Sequence, residues 1–247
     1  MAIRIISIVV AFLLFCYILF AFVFFKDIRQ DTVCHDLVVV VKDSLDKHFV
    51  TTDDLISLLK QARLNPIGQP MNTVNTHRIE TELLKNEMIA DVEAYKTPSS
   101  TIKLEVKQKM PILRVIGARG NFYVDSKGST MPISRQHVAY VPIASGYIEK
   151  ELAITDLYDF ALFLHKNEFW NSQIEQIYVY PNKEVVLIPR VGGHRILLGT
   201  FDDYREKLDK LQLFYEQAIP KMGWEKYSMI NLKFKDQIVC TKKTKQI

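Results

Sequence analysis

Between Ile5 and Phe25 the chain runs for 21 residues without a charged side chain. Wound as an α-helix at about 1.5 Å per residue, such a run reaches roughly 31 Å, enough to cross a hydrocarbon layer of about 30 Å. A buried helix of a soluble domain would show a polar stripe, and here only Ser7, Cys16 and Tyr17 interrupt the apolar residues. A cleaved leader has a shorter apolar core, about 7–15 residues, ending in a small-x-small site. This run ends in Phe22-Val23-Phe24-Phe25, which is bulky throughout. The expectation is one uncleaved transmembrane helix over residues 5–25, with a tail at 1–4 and a polar linker at 26–35. Arg4 and the α-amino group stand before the span, and Lys26 and Arg29 after it, so the Lys/Arg bias does not set its orientation.

The roughly 220 residues beyond the span suit one or two domains. No second apolar run approaches the roughly 18 residues of a span. The net charge is +4, with basic and acidic residues interspersed. There is no concentrated basic face of the kind that binds nucleic acid. Lys242, Lys243 and Lys245 form a basic tail over 241–247, read either as a solvated end or as a contact for anionic lipid or cell-wall polymer. Of the three cysteines, Cys16 lies in the span, while Cys34 and Cys240 stand near opposite ends of the body. That is no disulfide framework, although a Cys34–Cys240 bridge stays open in an oxidising compartment. No Cys/His pair has zinc-ligand spacing, and no cofactor or metal is expected.

Residues 36–108 read as strand, helix, helix, strand, strand. Leu37–Val41 is β-branched. Thr51-Thr52-Asp53-Asp54 offers a cap and an acidic first turn for a helix carrying Leu55, Ile56, Leu58 and Leu59. Asn65-Pro66-Ile67-Gly68-Gln69-Pro70 breaks that helix. Asn75 or Thr76 caps a second one with Ile79, Leu83 and Leu84. Ile89 to Tyr95 leads into a turn at Thr97-Pro98-Ser99-Ser100. Ile102, Leu104 and Val106 then alternate with Lys103, Glu105 and Lys107, the pattern of a half-exposed strand.

Residues 109–240 read as a mixed β domain with two helices. Strands are expected at 112–116, 122–124, 130–133, 138–143, 174–180, 184–188 and 195–198. Turns fall at Asp125-Ser126-Lys127-Gly128, Asn182-Lys183 and Gly192-Gly193. The helices are placed at 151–168 and from about Asp202 to Gln217. In the closing strand Ile230, Leu232, Phe234, Ile238 and Cys240 share one parity, and Asn231, Lys233, Lys235 and Gln237 the other. Asp236 breaks the apolar parity, which suggests a bulge or an edge. An edge strand here would leave N–H and C=O groups open to a partner strand; an ordinary closing strand fits the same pattern.

Catalytic signatures are weak. Ser44-Leu45-Asp46-Lys47 and Ser57-Leu58-Leu59-Lys60 match S-x-x-K, but no K-T-G accompanies them. The histidines at 35, 48, 77, 137, 165 and 194 are scattered, without H-E-x-x-H. No catalytic residue and no small-molecule substrate is expected.

Three stretches resemble the bacterial cell-division proteins FtsQ and DivIB. The first is His48-Phe49-Val50-Thr51-Thr52-Asp53-Asp54-Leu55-Ile56, similar to the opening of the family's POTRA helix. The second is Leu104-Glu105-Val106-Lys107-Gln108-Lys109-Met110-Pro111-Ile112 with Phe122-Tyr123-Val124-Asp125-Ser126-Lys127-Gly128. It looks like the step out of the POTRA domain and the hairpin after it, although Gln108-Lys109-Met110 stands where Glu-Arg is usual. The third is Leu198-Gly199 and then Ile230-Asn231-Leu232-Lys233-Phe234, with Asn231 where the family commonly has Asp.

The resemblance implies an α+β protein: one transmembrane helix, a small POTRA α/β domain, then the β domain. It implies no enzymatic activity, a periplasmic body on the inner membrane enriched at the division septum, and FtsB/FtsL-like bitopic division proteins as partners. It implies partner binding by strand addition at the C-terminal strand, at Lys233, Phe234, Asp236, Gln237 and Ile238. A POTRA-bearing component of a protein export or outer-membrane assembly system is the alternative; repeated POTRA units or a following barrel would favour it, and neither is present in the sequence.

Overall fold

The computed structural model describes residues 10, 12–22, 32–42, 49–117, 120–134 and 137–244. Of the expected span, residues 10 and 12–22 are described. They are helical, with Phe12, Phe15, Phe20 and Phe22 exposed. The rest of 5–25 lies outside the described residues, as do 26–31 of the linker and Ser44. Among the described residues no helix is long and apolar enough to cross a membrane. The contacts divide the chain into two compact units, Met1–Gln108 and Lys109–Ile247.

The first unit is built on strands β1 (Asp36–Lys42), β2 (Ile89–Lys96) and β3 (Thr101–Gln108), in the order β1-β3-β2. β1 runs parallel to β3, and β2 antiparallel to it. The alternation in β3 sets its two faces: Ile102, Leu104 and Val106 are fully buried, while Lys103, Glu105 and Lys107 face outward. Helix α1 (Thr52–Gln61) buries Leu55 and Leu59, and α2 (Thr76–Leu83) buries Ile79 and Leu83. Each starts where a side chain satisfies its free N–H groups. Thr51 and Asp54 form a capping box, and the Asn75 carboxamide accepts from the N–H of Arg78. Buried Gln108 accepts from the N–H of Val50 at 2.9 Å, tying the end of β3 to the approach to α1. On the outer face, Glu105 is held by Lys42, by Lys103 at 3.0 Å and by the Tyr95 hydroxyl at 2.7 Å. These contacts, Lys42 first, lower its pKa to about 2.

The second unit is a nine-stranded sheet in the order β12-β11-β10-β9-β8-β7-β4-β5-β6. In chain order the strands are β4 (Pro111–Gly117), β5 (Gly120–Asp125), β6 (Thr130–Pro132), β7 (Ile143–Gly146), β8 (Ile174–Val179), β9 (Val185–Pro189), β10 (Arg195–Gly199), β11 (Tyr227–Asn231) and β12 (Val239–Lys242). The pairs β4–β7, β7–β8 and β10–β11 are parallel. Two of these need helical crossovers, since parallel neighbours cannot be joined by a tight turn. α3 (Lys150–Ile154), α4 (Asp156–Lys166) and α5 (Glu168–Gln173) connect β7 to β8; α6 (Tyr204–Gln217) and α7 (Ile219–Met222) connect β10 to β11. Leu157, Phe160, Leu164, Trp170, Leu208 and Leu211 from these helices pack on Val115, Ile177, Leu187, Ile196 and Ile230 of the sheet.

Three expectations are corrected. The helix read at 151–168 breaks at Thr155, whose ψ of −111° is not helical, and again at Asn167, which caps α5. With α7 included, the two helices expected in this unit become five segments. The strand read at 138–143 begins only at Ile143. Pro142 has no N–H for a ladder, and Tyr140 stands 89% exposed with the Arg190 guanidinium over its ring at 4.9 Å. Finally, the closing strand expected at 230–240 is a hairpin: β11 ends at Asn231, residues 232–238 turn back, and β12 is the edge of the sheet.

Candidate functional site

Helix α6 sets the position of the C-terminal hairpin. Its crossover returns the chain beside β10, so that Ile196 lies opposite Ile230. The parallel ladder continues one step past β11, where the Leu232 N–H donates to Leu197 at 2.9 Å. Leu232 is 2% exposed, and the chain then leaves the sheet. The Asn231 carboxamide accepts from the Lys233 N–H at 3.0 Å, a local turn of the kind Asn favours. The Lys233 ammonium pairs with Glu184, just before β9. The Lys210 ammonium of α6 donates to the Lys235 carbonyl. These contacts fix a tip at which Phe234 is 46% exposed. Asp236 and Gln237 are exposed beside it. Ile238 and Cys240 return to pack on the core.

β12 then runs antiparallel to β11, with Ile230 opposite Cys240 and Asn231 opposite Val239. It has no neighbour on its other side among the described residues. Val239 is 41% exposed, and Thr241 and Lys242 are exposed. Its outer N–H and C=O groups are therefore open to another strand.

Of the five residues expected to bind a partner, Phe234, Asp236 and Gln237 lie together at the exposed tip. Ile238 faces the core, and Lys233 is already occupied by Glu184. That contact, with a smaller one from Asn182, holds the Glu184 carboxyl below its ordinary range. Burial pushes the Cys240 thiol up. Cys34 and Cys240 are both free thiols, the former buried.

Elsewhere, a cleft of about 590 Å³ opens between α4 and the start of α6. Asp156, Asp159, Asp202, Lys166, Lys183 and Arg205 give it charges of both signs, and the Arg205 guanidinium lies over Phe163 at 4.7 Å and Tyr204 at 5.2 Å. No group of three or more His, Cys, Asp or Glu arranged for a metal occurs among the described residues. Ser57 and Lys60 lie on the exposed side of α1.

Residues 110–241, more than half of the chain, match the family described as FtsQ/DivIB, C-terminal related. The chain belongs to that family. Residues 32–107 match the POTRA-like domain, so the two matches meet beside the division between the two compact units. The chain is also similar, at 24% identity over 173 residues, to the cell division protein FtsQ of Rhodothermus marinus. That similarity covers 65% of this chain and 63% of the relative, so the chain spans under two thirds of the relative's length.

In this FtsQ/DivIB-related chain, sequence reasoning missed Glu184 and Lys210 as supports of the tip. The first lies 49 positions from Lys233 and the second 25 from Lys235, so no local pattern joins them. The turn at Asn231 did carry a local signal, an Asn two residues before the point where the chain leaves the sheet.

Proposed function

We propose that this chain is a non-catalytic, membrane-anchored scaffold of the bacterial division machinery. Its body stands in the periplasm, and it holds an FtsB/FtsL-like bitopic pair at the septum by strand addition. The observation that carries this reading is the free edge of β12 beside an exposed aromatic tip. Backbone hydrogen bonds along the edge supply affinity without demanding a sequence, and the side chains at its end supply choice. Phe234 is the apolar anchor, standing clear of the core. Lys233 serves indirectly: its pair with Glu184 positions the tip. Family membership and the similarity to a relative named as a cell division protein support the same reading, and the apolar run at 5–25 supports the anchor.

Phe234→Ala should weaken capture of the partner pair by about 2 kcal/mol, roughly thirtyfold in Kd, without changing thermal stability. Binding titrations with purified partners measure this. Removing residues 239–247 should abolish capture from solubilised membranes. A truncated chain that stays folded by circular dichroism and still captures the pair would rule out strand addition at β12. A fluorescent fusion spread evenly around the membrane throughout the cell cycle would count against the divisional role itself.

A further inference from the structure

The first unit has two sheet edges, and they are treated differently. The β2 edge is blocked. The Ala94 N–H, which does not donate to β3, is taken by the Glu80 carboxylate of α2 at 2.8 Å, and the Lys96 ammonium is held by the Met71 carbonyl. A side chain on an outward N–H is an ordinary guard against strand addition. Among the described residues no side chain from another element takes an N–H of the β1 edge; locally, Asp36 accepts from the Leu37 N–H, and the Asp36 carbonyl accepts from the Cys34 thiol at 3.3 Å. A bridge from Val33 to Pro70, and hydrogen bonds from Cys34 to Gln69 and from Gly68 to Cys34, cover the chain only as far as Cys34. From Asp36 to Lys42 no strand lies outside β1 among the described residues. Val38 and Val40 are 40% and 37% exposed on its outer face.

The sequence of that open edge is Asp36-Leu37-Val38-Val39-Val40-Val41-Lys42. Laid antiparallel against itself about Val39, it sets Asp36 opposite Lys42, Leu37 opposite Val41 and Val38 opposite Val40. Both ends place unlike charges together, and every position between is apolar. Directly opposed residues share a face of the sheet, so the register must also match inside with inside. It does. Leu37, Val39 and Val41 share the parity of the buried residues of β3, and Asp36, Val38, Val40 and Lys42 share that of its outer residues. Any other register by an even shift leaves a charge opposite a valine. Lys42 can reach across without stripping Glu105, which keeps Lys103 and the Tyr95 hydroxyl. One Asp36 oxygen accepts the Leu37 N–H, leaving the other available.

We propose that β1 is a self-recognition edge, at which two copies of this chain join antiparallel about a two-fold axis at Val39 to make one six-stranded sheet. Such an interface is isologous, the same seven residues serving both sides. It uses an edge distinct from the one proposed for the division partner, so the two readings stand or fall separately.

The full chain in detergent, with Cys16, Cys34 and Cys240 replaced, tests the register. Opposed Cβ atoms lie about 4.5–5.5 Å apart and the next diagonal about 7–8 Å, beyond easy reach of a disulfide. Val38→Cys chains mixed with Val40→Cys chains should therefore form a disulfide dimer under mild oxidation, and each alone should form severalfold less. Charge adds a second arm. Asp36→Lys alone and Lys42→Asp alone should each sediment as monomer where the parent dimerises, and an equal mixture should recover the dimer, since it restores both end pairs. Sedimentation of the parent as monomer at every concentration would overturn the proposal. So would equal crosslinking by the single variants and the mixture. So would a mixture of charge variants that stays monomeric although both remain folded, or trapping of a different polypeptide by Val38→Cys with no homodimer.

Discussion

His194 is 2% exposed just before β10, with Nε2 at 2.7 Å from the Tyr215 hydroxyl of α6 and its ring stacked on Trp224. Tyr215 is raised above its ordinary range by burial, so its hydroxyl stays protonated as a partner for the imidazole. The charges facing His194 are Lys243, just past β12, and Glu225, just before β11, which pair with each other. Burial lowers the His194 pKa first, Lys243 lowers it further, and Glu225 opposes both. Below the ordinary imidazole value of 6.5, the unfolded chain takes up a proton that the folded chain resists. Stability from this group is therefore complete above pH 6.5 and falls as the pH drops from there toward the lower folded value. Melting temperatures measured from pH 8 to 5.5 should show that fall in the parent, and a flatter profile in His194→Phe. An equally steep profile in the variant would assign the dependence to other groups.

At the scale of elements, legibility followed how local the signal is. The first unit was readable strand by strand and cap by cap. Thr51, Asp54 and Asn75 act within three residues of themselves, and the β3 alternation is a property of one strand. Thr51→Ala removes the side-chain half of the capping box, leaving the Asp54 N–H without its acceptor, and should cost about 1 kcal/mol in chemical denaturation with no change in the sheet. The C-terminal hairpin was not readable in the same way. From Met229 to Asn231, residues opposed across it are an even number of positions apart, as with Ile230 and Cys240. A hairpin of that register keeps one parity in both arms, so its apolar pattern is indistinguishable from that of a single long strand. Asp236 was the visible break, and it marks the turn. Phe234 shares the parity of Ile230 and yet points outward, because the tip is shaped by Lys233–Glu184 and Lys210–Lys235, contacts that the order of residues does not contain. The same holds for the strand expected at 138–143, which parity favoured and Pro142 prevented.

At the scale of the whole molecule, a body with open edges at β1 and β12 must be kept near the partners proposed for them. The apolar run at 5–25 is the proposed answer, and its physical demands are specific. A helix of 21 uncharged residues meets the hydrocarbon thickness with little to spare, so one charge near its middle should be disruptive. On insertion scales a central Arg or Asp costs about 2.5–3.5 kcal/mol. The bulky end, Phe22-Val23-Phe24-Phe25, offers a signal peptidase no small residues, so the segment should remain attached. Two measurements follow. Alkaline carbonate extraction should leave the parent in the membrane fraction, and should release a substantial share of Phe15→Arg. Intact-mass analysis of the extracted parent should give the full 28.7 kDa chain. A shorter species beginning near residue 26 would turn the run into a leader, and the body would then reach its partners by diffusion alone. Retention would instead confine it to two dimensions close to the bilayer, where a short edge such as β12, with four residues, could bind usefully at modest affinity if the proposed bitopic partner is held in the same membrane.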